Sequence, residues 1–272
     1  MVKKSAKIGI IGGMGPEATL DLFRKIIRYT PATKDQEHIH LIIDNNTSIP
    51  DRTDYIVGKG ENPLPFILES ARLLESVGVD AICMACNTAH IFENDIRANI
   101  HVDFISIVES VLMELQTSFP QAKSIGLAGT MGVLASQIYT EPLIASGYKL
   151  ILPPNDLRKK LMEVIYSIKG GHIKDVAGEG EEILHWYKDQ GADVLIMACT
   201  ELPLLLDYLV PPLSVVDSTE ALAKNVVRYA LEKSLRPTKP LWNNQQWEKV
   251  KQAGRQNKKG DLAPTYSPGS SR

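Results

Sequence analysis

The sequence predicts an α/β protein of two pseudo-symmetric domains, each a parallel sheet flanked by helices, with an active site in the interdomain cleft. The first observation is an internal echo. Gly78-Val79-Asp80-Ala81-Ile82-Cys83-Met84-Ala85-Cys86 aligns position for position with Gly191-Ala192-Asp193-Val194-Leu195-Ile196-Met197-Ala198-Cys199. Ile8-Gly9-Ile10-Ile11-Gly12-Gly13-Met14-Gly15 returns as Ile125-Gly126-Leu127-Ala128-Gly129-Thr130-Met131-Gly132, and Ser106-Ile107-Val108-Glu109-Ser110 as Ser214-Val215-Val216-Asp217-Ser218. Chance similarity between buried strands gives one such match; three in the same order indicate a duplicated unit. The second observation is that strand-like runs alternate with helical ones, the pattern of a parallel sheet covered on both faces. The third is that every echoed motif falls at the carboxyl end of an expected strand, where open α/β sheets bind ligands.

Taken in order, residues 7–11 read as a short buried strand, left through Gly12-Gly13-Met14-Gly15. Pro16 suits the first turn of a helix and Glu17 its positive end; Leu20, Phe23, Ile26 and Ile27 are its expected apolar face. His40–Asp44 is a second strand, and Asn45–Thr53, polar and containing Pro50, is the loop beyond it. A helix over 65–77 ends before Gly78. Asp80–Ala85 is the next strand, with Asn87 or Thr88 expected to cap the helix after it, and 104–108 is another strand. The pattern then restarts. The expected domains are residues 1–104 with 213–234, and residues 105–212.

From Lys233 onward the composition changes. Nine Lys and Arg face only Glu248 and Asp261, and Trp242 and Trp247 are the large apolar anchors. Residues 235–272 therefore read as a basic, partly disordered extension, expected to pack through its tryptophans rather than to bind RNA or membrane.

With 272 residues the chain can bury a substantial core, and its formal net charge of −2 gives no overall field directed at nucleic acid or membrane. The basic start, Lys3-Lys4, has no apolar signal region behind it, and three cysteines do not make a disulfide framework. A cytoplasmic location is the expectation.

Two of those cysteines, Cys86 and Cys199, hold equivalent places in the repeat; the third, Cys83, is matched by Ile196 and reads as core. That match weakens any redox or zinc reading of Cys83-x-x-Cys86, for which His90 is the one nearby further ligand. A strand-to-helix junction lowers a thiol pKa from about 8.5 towards neutrality. One activated cysteine would suggest a covalent nucleophile. Two across a cleft suggest a nearly symmetric reaction, and racemisation fits: one thiolate takes the α-proton from one face while the opposite thiol supplies a proton to the other.

Gly12-Gly13-Met14-Gly15-Pro16-Glu17-Ala18-Thr19, Asn45-Asn46-Thr47-Ser48-Ile49-Pro50-Asp51-Arg52-Thr53, Cys86-Asn87-Thr88-Ala89-His90 and Cys199-Thr200-Glu201-Leu202-Pro203-Leu204 together resemble the aspartate/glutamate racemase superfamily, on its aspartate racemase side. The resemblance spans about residues 6–232. It implies a homodimeric isomerase that interconverts L- and D-aspartate without pyridoxal phosphate, metal or any other cofactor. It also implies Cys86 and Cys199 as the acid/base pair, with Cys199 acting on the L-enantiomer and Cys86 on the D-enantiomer. By the same resemblance Asn87, Thr88 and Thr200 would hold the α-carboxylate, and Arg52 and Lys169 would be cationic anchors suited to a second carboxylate. Met14 and Thr130 would line the two loops at the mouth, and His90 would stand near Cys86. Glu201 occupies the place where glutamate racemases typically carry histidine, and the opening glycines lack that branch's early Asp-Ser; both favour aspartate.

The alternatives are a glutamate or broad-specificity amino-acid racemase, a related cysteine-dependent isomerase, or a non-catalytic amino-acid-binding protein. Nucleotide binding is disfavoured because glycines at 9, 12, 13 and 15 do not spell G-x-G-x-x-G and no P-loop lysine is present.

Overall fold

Strands form where short apolar runs are bounded by glycine or polar turns, and a helix then carries the chain back to the start of the next strand. The computed structural model describes residues 6–232; the expected extension at 235–272, with Trp242 and Trp247, lies outside them. The first half runs β1 (Ile8–Gly12), α1 (Pro16–Tyr29), β2 (Leu41–Asn45), α2 (Arg52–Ile56), α3 (Leu64–Ser76), β3 (Ala81–Met84), α4 (Glu93–Asn99), β4 (Asp103–Ile105) and α5 (Ile107–Ser118). The second runs β5 (Ser124–Gly129), α6 (Met131–Ser136), α7 (Thr140–Ala145), β6 (Lys149–Ile151), α8 (Asn155–Lys169), α9 (Ala177–Asp189), β7 (Val194–Ala198), β8 (Ser214–Asp217) and α10 (Ser218–Glu232).

Two four-stranded sheets result, ordered β2-β1-β3-β4 and β6-β5-β7-β8, with every pairing parallel. The second repeats the topology of the first strand for strand, as the echoes in the sequence led one to expect. In each, the chain starts at an interior strand, runs to one edge and returns on the other side. The order therefore reverses between β1 and β3 and again between β5 and β7, the crevices where such sheets take ligands. The central strands β1, β3 and β7 are buried along their whole length, as sheets covered on both faces require.

The two halves are laced together at the end of the described chain. Strand β8 pairs with β7 in the second sheet, yet the helix leaving it, α10, packs on α1 and α5. Asp217 sits at the changeover. It caps α10 by accepting from the Thr219 and Glu220 N–H groups and accepts from the Lys25 ammonium at 2.5 Å, with Asp21 at 2.6 Å from the same nitrogen. Burial pulls the Lys25 pKa down, but the two carboxylates outweigh it and the pKa ends raised.

Two local expectations are corrected. Helix α1 buries Ala18, Leu22 and Ile26, whereas Leu20 is 47% and Ile27 42% exposed. The inward stripe is offset because Asp21 and Thr19 face inward as well, Asp21 with Lys25 against it, and charge neutralised by a partner is invisible to an apolar pattern. The stretch expected as strand over 104–108 stops at Ile105, because the Ser106 side chain accepts from the Glu109 N–H and starts α5.

Gly13 takes φ +84°, and a Cβ there would stand 2.4 Å from the backbone of Asn46. The turn after β1 is thus pressed onto the loop after β2. Gly13→Ala is expected to cost on the order of 2 kcal/mol or more, from backbone strain plus the clash; a urea midpoint unchanged from wild type would refute this.

Candidate active site

The loops beyond the two switch points meet around one cleft. Met14 comes from the loop after β1 and Cys86, Asn87 and Thr88 from the loop after β3. Thr130 follows β5, Cys199 and Thr200 follow β7, Arg52 opens α2 and Lys169 ends α8. All nine residues singled out in the sequence line this cleft. Asp51, Thr53 and Glu201 line it as well. Thr53 was not anticipated, although it stands beside Arg52 in the same motif.

The walls are joined by polar contacts that also change the expected roles of some residues. Thr88 Oγ1 and Thr130 Oγ1 lie 2.9 Å apart, and Thr200 Oγ1 donates to the Ala85 carbonyl at 3.4 Å. Gly132 permits this approach, since a Cβ there would stand 2.8 Å from Thr88 Cγ2. Thr130 also caps α6, accepting from the Val133 N–H. Neither Asn87 nor Thr88 caps by its side chain; the next element is a 3-10 turn at Thr88–Phe92. The Asn87 amide is held between its neighbours instead: Oδ1 accepts from the buried Tyr139 hydroxyl at 2.5 Å and Nδ2 donates to Ser218 Oγ at 2.9 Å. Tyr139 carried no signal in the sequence. Tyr139→Phe would strand the Asn87 oxygen and is expected to destabilise by about 1–3 kcal/mol, read from chemical denaturation; an unchanged stability would mean that this bond contributes nothing.

The two cations differ in their tethering. Arg52 is 6% exposed and donates through Nη1 to the Ile49 and Pro50 carbonyls and through Nη2 to the Met14 carbonyl. Its Nε has no partner among the described residues. It therefore bolts the loops after β1 and β2 together while keeping a donor in reserve. Lys169 stands at the end of α8, its ammonium 5.6 Å from the Tyr166 ring. Burial lowers its pKa, but Glu201, Cys199 and Cys86 more than compensate and leave it raised.

Cys86 and Cys199 are 5% and 4% exposed. Cys199 Sγ donates to Glu201 Oε2 at 3.0 Å. Its pKa is raised well above the ordinary thiol value, first by burial and then by the Glu201 charge, with Lys169 pulling the other way. This corrects the expectation of a lowered thiol pKa at the strand end. The chain after Cys199 forms a short 3-10 turn, and burial beside a carboxylate outweighs what few free N–H groups offer. His90 Nδ1 lies 2.7 Å from the Cys86 carbonyl, and Nε2 accepts from the Ile107 N–H. A backbone N–H can only donate, so Nε2 is unprotonated and Nδ1–H donates to Cys86. Burial lowers the His90 pKa, so the ring is a neutral strut between Cys86 and α5. Cys83 is fully buried and pushed up to about 12 by burial. In the native protein it is expected to resist alkylation until denaturant is added; mass spectrometry showing Cys83 labelled first would contradict this.

Comparison with known proteins agrees with this two-sheet fold. Residues 11–226 match the family described as Asp/Glu/Hydantoin racemase. The broad specificity amino-acid racemase RacX of Bacillus subtilis is 30% identical over 224 residues, covering 81% of this chain and 96% of that protein. A glutamate racemase of Persephonella marina is 29% identical over 171 residues, 60% of this chain and 63% of that one. Among solved structures, the Picrophilus torridus aspartate racemase superposes with a TM-score of 0.76 at 30% identity, over 85% of this chain and 98% of that one.

Proposed function

Because the chain belongs to the Asp/Glu/Hydantoin racemase family, we propose that it interconverts L- and D-aspartate by two-base proton transfer between Cys86 and Cys199, without a cofactor. The observation that carries this reading is the pair of buried cysteines at equivalent strand ends of two repeated sheets, lining one cleft. A thiolate on one wall removes the α-proton while the thiol on the other returns a proton to the opposite face. The planar intermediate carries an extra negative charge on its α-carboxylate. Donors must meet that charge as it develops.

The threonine and asparagine side chains are largely committed to protein partners: Thr88 to Thr130, Thr200 to the Ala85 carbonyl, and Asn87 to Tyr139 and Ser218. Carboxylate binding therefore falls to backbone N–H groups at the 3-10 turns, to Arg52 Nε and to Lys169. Two cations lining one cleft favour a substrate with a second carboxylate.

Both directions need one thiolate and one thiol, and the equilibrium constant between enantiomers is unity, so kcat/KM is expected to be bell-shaped in pH and equal for the two enantiomers. Burial and the Glu201 charge, by raising the Cys199 pKa, carry the alkaline limb above the ordinary thiol range of about 8.5. A kcat/KM that already falls below about pH 8 would contradict this.

The direct assay follows deuterium incorporation and D-aspartate formation from L-aspartate in deuterium oxide, with no added pyridoxal phosphate or metal. A wild-type enzyme inert on aspartate but active on glutamate or on several amino acids would move the reading to the second one, a glutamate or broad-specificity racemase, which the similarity to RacX and to a glutamate racemase favours.

A further inference from the structure

An amino acid brings a cation as well as its carboxylates, and a buried cleft must supply an acceptor for the ammonium. Among the described residues that line the cleft, the carboxylates are Asp51 and Glu201. Asp51 Oδ1 is committed to capping α2, accepting from the Thr53 and Asp54 N–H groups at 2.7 and 3.0 Å. Glu201 is 2% exposed. Its Oε2 accepts from Cys199 Sγ at 3.0 Å, and Thr200 Oγ1, whose single proton is shared between this oxygen and the Ala85 carbonyl, lies at 3.3 Å. Its Oε1 has no hydrogen-bond partner among the described residues. That oxygen lies against Gly15, where a Cβ would come within 3.2 Å of it, so the glycine keeps the approach to it open.

An unpartnered oxygen on a buried carboxylate is an acceptor without its donor. We propose that Glu201 Oε1 receives the α-ammonium of the substrate. The assignment rests on the amino-acid racemase reading and adds a recognition element to it. The arrangement sorts the cleft by charge: Arg52 and Lys169 take carboxylates, and Glu201 takes the amino group. It also ties substrate to catalyst, because one carboxylate then holds both the ammonium and the Cys199 thiol, setting the α-carbon beside the sulfur. In the repeat Thr88 occupies the place of Glu201, so the acceptor is built into one wall only, as a single ammonium requires. The site accordingly selects a free α-amino group and rejects dicarboxylates or hydroxy-dicarboxylates that lack one.

The test is titration calorimetry with DL-aspartate and, separately, with succinate, on wild type and on Glu201→Gln. Glutamine keeps the size of the side chain and removes its charge. The expected result is that Glu201→Gln binds aspartate about tenfold more weakly or worse, while succinate binds as well as before or better. Aspartate affinity unchanged within about twofold, or aspartate and succinate weakened in equal proportion, would overturn the assignment. Retained succinate binding shows that the variant is folded. Should Glu201→Gln fail to fold, the wild type decides: it is expected to prefer aspartate to both succinate and malate by about tenfold, and equal affinities would overturn the proposal. A wild type that binds succinate but no amino acid overturns the assignment together with the racemase reading. One that racemises aspartate yet shows no preference for the ammonium sinks the assignment alone.

Discussion

Cys86→Ala and Cys199→Ala are each expected to lower D-aspartate formation from L-aspartate by about a thousandfold or more, with the protein still folded. General acid–base groups contribute ~10²–10⁴ each, and here both are used in every turnover, so either loss alone removes nearly the whole effect. Alanine leaves only a small cavity where each sulfur lay, and the thiol of Cys199 bonds to Glu201 rather than bridging strands. Circular dichroism and urea midpoints near wild type would confirm that chemistry rather than folding was lost. A variant that keeps wild-type racemisation after losing one cysteine would end the two-base account and leave a single cysteine nucleophile as the better one.

Lys169→Met is expected to raise KM for aspartate by tenfold or more and to affect alanine turnover far less. Charge-assisted hydrogen bonds to a carboxylate are worth ~1.5–3 kcal/mol, or about 10–100-fold in affinity. Methionine keeps most of the aliphatic stem. Lys169 is the cleaner probe of the two cations, because its ammonium is held chiefly by the charges of the cleft. Removing Arg52 instead would leave the Ile49, Pro50 and Met14 carbonyls without their donor, so loss of activity would be confounded with loss of the loop structure. If aspartate and alanine respond equally to Lys169→Met, the dicarboxylate reading loses its main support and the broad-specificity reading takes its place.

Much of this site was legible because duplication made it so. A cysteine on an apolar strand normally reads as core, and Cys83 is such a residue. Cys86 and Cys199 stood apart only because each recurs at the same step of a repeated strand-and-turn unit. Arg52 was legible only through the family resemblance, since an arginine on a loop beyond a strand end otherwise reads as a solvated charge. Tyr139 gave no sign. It lies in the loop before α7, and its bond to Asn87 joins residues far apart in the chain, which no local pattern encodes. The inward Asp21 of α1 was missed for a related cause: its partner Lys25, one turn along the same helix, is turned inward by Asp217, far away in the chain.

The strand order within each sheet could not be read from the chain before folding, whereas the two repeated parallel-sheet units and the positions of the cysteines at strand ends could. These follow from periodicity, turn chemistry and the order of the echoes, all of which are local. Tertiary structure alone decided the state of the groups in the cleft. It buried Cys199, with Glu201 of the same turn against it, and so raised a thiol pKa that the strand-end argument would have lowered. It engaged the Asn87 amide between Tyr139 and Ser218, and it left one oxygen of Glu201 and one nitrogen of Arg52 without partners. Burial and charge pairing depend on what the other half of the molecule brings within about 4 Å, where Coulomb energies are large and water is excluded, and that is fixed only when the two halves close on each other.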